Sequence, residues 1–233
     1  MRQAMPESPI NPLPAVVWLL VLPIAAGEAV FALGRIGLIG GAQGVGLRLS
    51  AMQMAAFAPE MIQRMWQVRT VDWDQLYRIV TYSFVHASAT HALFVSAFTL
   101  ALGNLVARQF RQWALLALFL GSAVGGALVY TLVISFIPVR PAPLVGGYPA
   151  VYGLVGAFTF LLWTRLGAEN ANRLRAFTLI GMLLAFQLVF GIAFGGAGYG
   201  WIAEIAGFFA GFGLSFLLVD GGVGRVLRQI RAR

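Results

Sequence analysis

The chain has 233 residues, 60% of them hydrophobic and 10% charged, a balance that no soluble domain of this size can bury in one core. Its net charge of +8 comes from sixteen arginines and no lysine, scattered along the chain rather than gathered on one face, which excludes a nucleic-acid surface and suits anchoring to anionic lipid. There is no cysteine, so disulfides and thiolate metal sites are excluded too.

Six apolar runs have roughly the 20-residue length that crosses a bilayer core of about 30 Å, near residues 13–33, 88–107, 113–137, 144–164, 174–196 and 199–219. They predict an all-α polytopic membrane protein with a short tail over 1–12, a six-span membrane domain over 13–220 and a basic tail over 221–233. The first run is longer than the roughly 7–15 residues of a signal-peptide core and is preceded by Arg2 alone, so it reads as an uncleaved span. Six spans put both termini on one side of the membrane. Segments on that side carry ten arginines and those on the other carry six, most of the six in one long loop that weighs less in the positive-inside rule. The expectation is an integral protein of a bacterial inner membrane with both termini cytoplasmic.

In chain order, the first span carries Glu28, a carboxyl expected to reach the interface or to be hydrogen-bonded within the bundle rather than to ionise in lipid. Residues 34–80 form a long non-spanning loop in which MQMAAFAPEMIQRMWQV has apolar residues at about helical spacing, with Trp66 and Trp73 nearby. That composition suits the headgroup layer, either as a structural loop or as a lateral surface that meets partners in the bilayer. The second span opens with FVHASATHALFVSAF. On one helix, residues five apart point about 140° apart, so His86 and His91 do not read as a zinc pair, and no metal or other cofactor is expected. The third span, with Gly121, Gly125 and Gly126 at close-packing spacing, reads as scaffold, and FIPVRPAPLVGG stiffens the connection after it through Pro138, Pro141 and Pro143. The fourth span starts from a glycine-rich turn, LVGGYPAVYGLVGAF, where Pro149 needs no hydrogen-bond partner at a helix start and Gly153 and Gly156 leave a bare flank. Arg173 and Arg175 close the next turn, and the sixth span, YGWIAEIAGFFAGFG, carries Glu204 followed by Gly207 and Gly211.

These strips resemble the rhomboid family of intramembrane serine proteases, and the resemblance runs through nearly the whole chain. The family signature reads approximately GASGAxxGLxGA with the nucleophile at the serine, and Gly146, Gly147, Tyr148, Pro149, Ala150, Val151, Tyr152, Gly153, Leu154, Val155, Gly156 and Ala157 lie on it. The spacing of His86 and His91 is similar to the family's H-x4-H, whose second histidine helps to hold the oxyanion, and Tyr77 and Arg78 are similar to a Trp-Arg pair that ends the half-inserted loop. Gly207 and Gly211 match the small residues by which the sixth helix packs on the fourth. The departures fall on the chemical positions: Tyr148 stands for the serine, Pro149 for the small residue after it, Glu204 for the histidine and Val95 for an asparagine that donates to the oxyanion, while His91 and Tyr152 remain.

Tyr148 and Glu204 do not make a substitute dyad. A phenol ionises near pH 10 and a carboxyl near 4, so moving a proton between them is uphill by several units. The ring would also fill the space where a scissile carbonyl must come within about 3–3.5 Å of a nucleophile. Ser83, Ser88, Ser96, Ser122 and Ser135 could replace the nucleophile only if a histidine reached one of them. A hydrogen bond between Tyr148 and Glu204, tying the fourth span to the sixth, fits both residues better. The resemblance therefore implies a rhomboid-like pseudoprotease that binds transmembrane segments of other membrane proteins, through the gate between the second and fifth spans, without cutting them. The rival is an active serine endopeptidase with a displaced nucleophile. A small transporter would need paired intramembrane charges or broken helices in matching halves, which Glu28 and Glu204 do not supply.

Overall fold

A computed structural model describes residues 13–194 and 198–219; both expected tails lie outside the described residues. The long helices are α1 (Ala15–Arg35), α6 (Ala89–Ala107), α7 (Gln112–Ile134), α8 (Tyr148–Ala168), α9 (Thr178–Phe194) and α10 (Trp201–Leu218). Between α1 and α6 come short pieces, none long enough to cross a bilayer: α2 (Leu47–Ala55), α3 (Pro59–Val68), α4 (Trp73–Leu76) and α5 (Arg78–Thr81). No strand occurs among the described residues; the one isolated bridge there joins Phe57 to Leu144. Five helices, α1, α6, α7, α8 and α10, are long and apolar enough to span a membrane, and the described part of α9 is equally apolar over 17 residues. The protein is an integral, all-helical membrane protein.

Helix starts explain where the spans shift from their hydropathy limits. The fourth begins at Tyr148, four residues after the expected 144, because Leu144 is extended and exchanges backbone hydrogen bonds with Phe57 at 2.8 and 3.1 Å. Gly146 then turns the chain at φ +98°, a left-handed conformation that favours glycine. The fifth begins at Thr178 rather than 174, since Asn172 caps a short 3-10 turn, Arg173–Phe177, by accepting from the Leu174 N–H at 2.9 Å. The amphipathic run in the loop is not one helix. Pro59 cannot donate within a helix, so the run divides into α2 and α3, and Phe57 between them pairs with Leu144.

The fourth span, α8, is the central element, buried at Pro149–Ala157, Thr159 and Phe160 and packed against α6, α7 and α10. Burial of this kind is not driven by expulsion of water in a bilayer, where lipid tails are as apolar as leucine; close van der Waals contact must hold the helices. Large apolar side chains such as Leu19, Leu93, Leu132, Met182 and Phe209 accordingly point outward, to where lipid lies in a membrane. Small residues make the inner seams. A Cβ added at Gly207 would strike the Pro149 carbonyl oxygen, one at Gly211 the carbonyl of Gly153, and one at Gly156 the carbonyl of Phe208. On the third side, Gly126 of α7 lies against the Ala203 carbonyl and Pro149, and Gly153 against the Ser122 hydroxyl. The seam between α8 and α10 is thus backbone against backbone.

Gly207→Leu should lower stability by about 1–3 kcal/mol or more, because the new side chain has nowhere to go without parting α8 from α10. Gly213→Leu, at an exposed position with open space around its Cα, is the control and should melt with the parent. Equal melting temperatures for all three proteins in detergent would contradict the packing.

Candidate functional site

A group of polar and aromatic residues gathers where the 82–88 segment, the start of α6, the 144–147 segment and the first turn of α8 meet. Ser88 caps α6 by accepting from the His91 N–H at 3.1 Å, which fixes the first turn and with it the direction of the His91 ring. His86 lies ahead of the helix, not on it. The 140° separation expected for two residues of one helix therefore does not hold, and the two imidazoles meet edge to face with centroids 4.9 Å apart. Among the described residues, no group of three or more His, Asp or Glu side chains forms around them.

The glycine turn is threaded beneath these rings. The Gly146 N–H donates to the Tyr82 carbonyl at 2.8 Å, and the Gly147 N–H donates to His86 Nε2 at 3.3 Å. A Cβ at Gly146 would sit inside the His91 ring, and one at Gly147 would lie 2.8 Å from Val95 Cγ1 and 2.9 Å from the Ser83 carbonyl oxygen. The turn can carry no side chain at either position. Val95 itself is fully buried and has no polar atom to offer. Tyr148, the next residue, lays its ring on His91 at 4.6 Å between centroids and 21° between planes, so the imidazole is held between Gly146, His86 and a phenol.

Tyr148 and Tyr152 lie one turn apart on α8, and Glu204 of α10 stands close enough to act electrostatically on both. Glu204 therefore lies within electrostatic range of two phenols, where the sequence pattern pointed to Tyr148 alone. None of the serines supplies a hydrogen bond to either imidazole ring among the described residues. Ser88 is occupied as the cap of α6; Ser135 accepts from Gln63 Nε2 and donates to the Thr131 carbonyl; Ser122 is buried against Gly153. Ser83 is buried, and its hydroxyl makes no hydrogen bond to either imidazole. An imidazole activates a hydroxyl by taking its proton, and among the described residues no serine hydroxyl is hydrogen-bonded to an imidazole.

The floor of the site depends on a residue the sequence reading did not single out. Arg48 of α2 grips Glu28 of α1 through two hydrogen bonds, 2.7 and 2.6 Å, and also donates to the His86 carbonyl at 2.9 Å. Its guanidinium lies 4.7 Å over the Phe31 ring. A carboxyl in an apolar span demands a cation, and Glu28 was the signal that could have led to Arg48. Two further bonds close the outer side: Tyr82 donates to the Ala123 carbonyl at 2.8 Å and Tyr130 to the Ala142 carbonyl at 2.9 Å, tying α7 to both flanking segments.

A family model described as Rhomboid domain matches residues 73–221, which takes in α4 to α10 and every residue of this cluster except Glu28, Phe31 and Arg48. No curated protein matches the chain.

Burial lowers the His86 basicity from the usual 6.5 to about 3; the adjacent His91 and Arg48 work the same way, and the Phe84 backbone opposes them. A neutral ring is what the Gly147 N–H requires, since Nε2 must accept. The folded value lies below the unfolded one, so this contribution to stability is complete above about pH 6.5 and is lost as the pH falls from there towards 3. Stability in detergent should decline over that window, and His86→Gln, which can still accept from Gly147, should flatten the decline. Parallel pH profiles for the parent and the variant would contradict it.

Proposed function

The chain belongs to the rhomboid family, and from that premise we propose that it is a pseudoprotease: it binds transmembrane segments of other membrane proteins in the bilayer and releases them uncut. The observation that carries this reading is the Tyr148 ring stacked at 4.6 Å on His91, in the volume where the family pattern puts a serine and its scissile bond. Support comes from three further placements. The base position holds Glu204, a carboxyl within electrostatic range of Tyr148 and Tyr152, and a carboxylate is a far weaker base than the histidine of the family pattern. The oxyanion position holds the buried, apolar Val95. The His86 Nε2 lone pair is committed to the Gly147 N–H.

Loss of chemistry does not entail loss of the scaffold. The glycine seams, the stiff 138–143 connection and the exposed apolar faces of α6 and α9, with Leu93, Phe94, Met182 and Phe186 on them, are the parts with which a family member would meet a client helix in the bilayer. In this reading six helices cross the membrane, the pieces between α1 and α6 lie half-inserted in the headgroup layer, and both termini face the cytoplasm of a bacterial cell.

The test is co-reconstitution of the purified protein in liposomes with a transmembrane protein that active rhomboids cleave. Co-purification with no cleavage fragment is expected. Tyr148→Ser combined with Glu204→His should still cleave at least about 10²-fold more slowly than an active rhomboid, since Pro149 and Val95 leave the oxyanion site short of donors. Fragments from the parent protein would overturn the reading.

A further inference from the structure

Beside α2, on the residues that precede the glycine turn, lies a cavity of about 320 Å³, at the low end of the roughly 300–1,000 Å³ of small-molecule sites. Leu49, Met52 and Gln53 of α2 form one wall, Pro143 and Val145 the opposite one, and Arg78 of α5 the third. Its frame is firmly made: the Phe57 and Leu144 backbones are paired across it, the Tyr77 hydroxyl donates to the Met54 carbonyl at 2.9 Å, and the Thr81 hydroxyl donates to Ala55 at 3.4 Å.

Arg78 is the unexplained group. Its Nε is cut off from solvent without a hydrogen-bond partner, and among the described residues its guanidinium has no ion pair. Its Cζ lies over the neighbouring Tyr77 ring, 6.0 Å from the centroid. Arg48, on the neighbouring α2, has its carboxylate in Glu28. A guanidinium stays charged at any accessible pH and presents its N–H groups in a fork that fits phosphate oxygens. The walls beside it are chiefly apolar, which a free hydrated anion would leave unused. The exposed Trp66 and Trp73 on the same run of short helices belong at the level of lipid headgroups.

We propose that this cavity holds the headgroup of an anionic phospholipid, with the phosphodiester on Arg78 and the glycerol and first methylenes against Met52, Leu49 and Val145. The lipid supplies the counter-charge that the chain does not. It would also brace α2 against the 143–145 segment, one residue from the glycine turn. Neither histidine lines the cavity, and the proposal does not depend on whether the protein cleaves or only binds clients.

Native mass spectrometry of the full chain in mild detergent, with dioleoyl phosphatidylglycerol, dioleoyl phosphatidylcholine or inorganic phosphate as probe, tests this. One phosphatidylglycerol should be retained about fivefold over phosphatidylcholine, and excess inorganic phosphate should not displace it. Arg78→Gln should abolish the preference, whereas Arg69→Gln, at an exposed arginine in the same loop, should keep it. Met52→Trp, which fills the cavity and leaves the guanidinium in place, should also abolish retention and serves if Arg78→Gln does not fold. Equal retention of the two lipids, retention that survives both Arg78→Gln and Met52→Trp, or displacement by inorganic phosphate would overturn the proposal.

Discussion

The constraint on which the rest of this structure depends is the approach of α10 to α8 at backbone distance, with Gly207 on the Pro149 carbonyl and Gly211 on the carbonyl of Gly153. In a bilayer, helices gain nothing by hiding apolar surface from lipid, so the close fit of one backbone on another does the work that a hydrophobic core does in water. Because Pro149 is the second residue of α8, the same contact fixes where that helix starts. The glycine turn before it is then held at both ends, by the seam on one side and by the Tyr82 and His86 acceptors on the other. Gly126 of α7, lying against Ala203 and Pro149, makes the seam a three-helix junction rather than a pair.

The polar cluster above that junction is organised by hydrogen bonds that leave little for chemistry. Arg48 joins α1, α2 and the His86 carbonyl; His86 accepts from Gly147; His91 is capped by Ser88 through its backbone and covered by Tyr148 on one face. Each of these contacts positions a group, and none brings a hydroxyl to an imidazole. A family architecture persists here around hydrogen bonds and ring contacts that hold these groups in place. That combination, a family scaffold with Tyr148 stacked on His91, is what supports the proposal of recognition without cleavage.

How much of this could be read from the sequence depended on whether the signal was local. The membrane character, the helical class and the family are carried by long apolar runs and by short strips of glycine and histidine, all visible within windows of twenty residues or so. Helix starts were displaced where a residue pairs far along the chain: nothing near Leu144 shows that Phe57, 87 positions earlier, will hold it extended. The angle between His86 and His91 was misjudged because the capping role of Ser88, which starts the helix two residues after His86, outweighs the apolar pattern around it. Arg48 and the cavity at Arg78 were out of reach for the same reason. Their partners are a carboxylate 20 residues away and, for Arg78, none that the described residues provide.

The claim that no hydroxyl in this bundle is activated can be measured directly with a fluorophosphonate probe, which marks a serine only when a base makes it nucleophilic. Applied to the full chain in native membranes, alongside an active rhomboid labelled under the same conditions, the probe should leave this protein unmarked. Robust labelling that disappears when one serine, Ser83 above all, is changed to alanine would contradict the account.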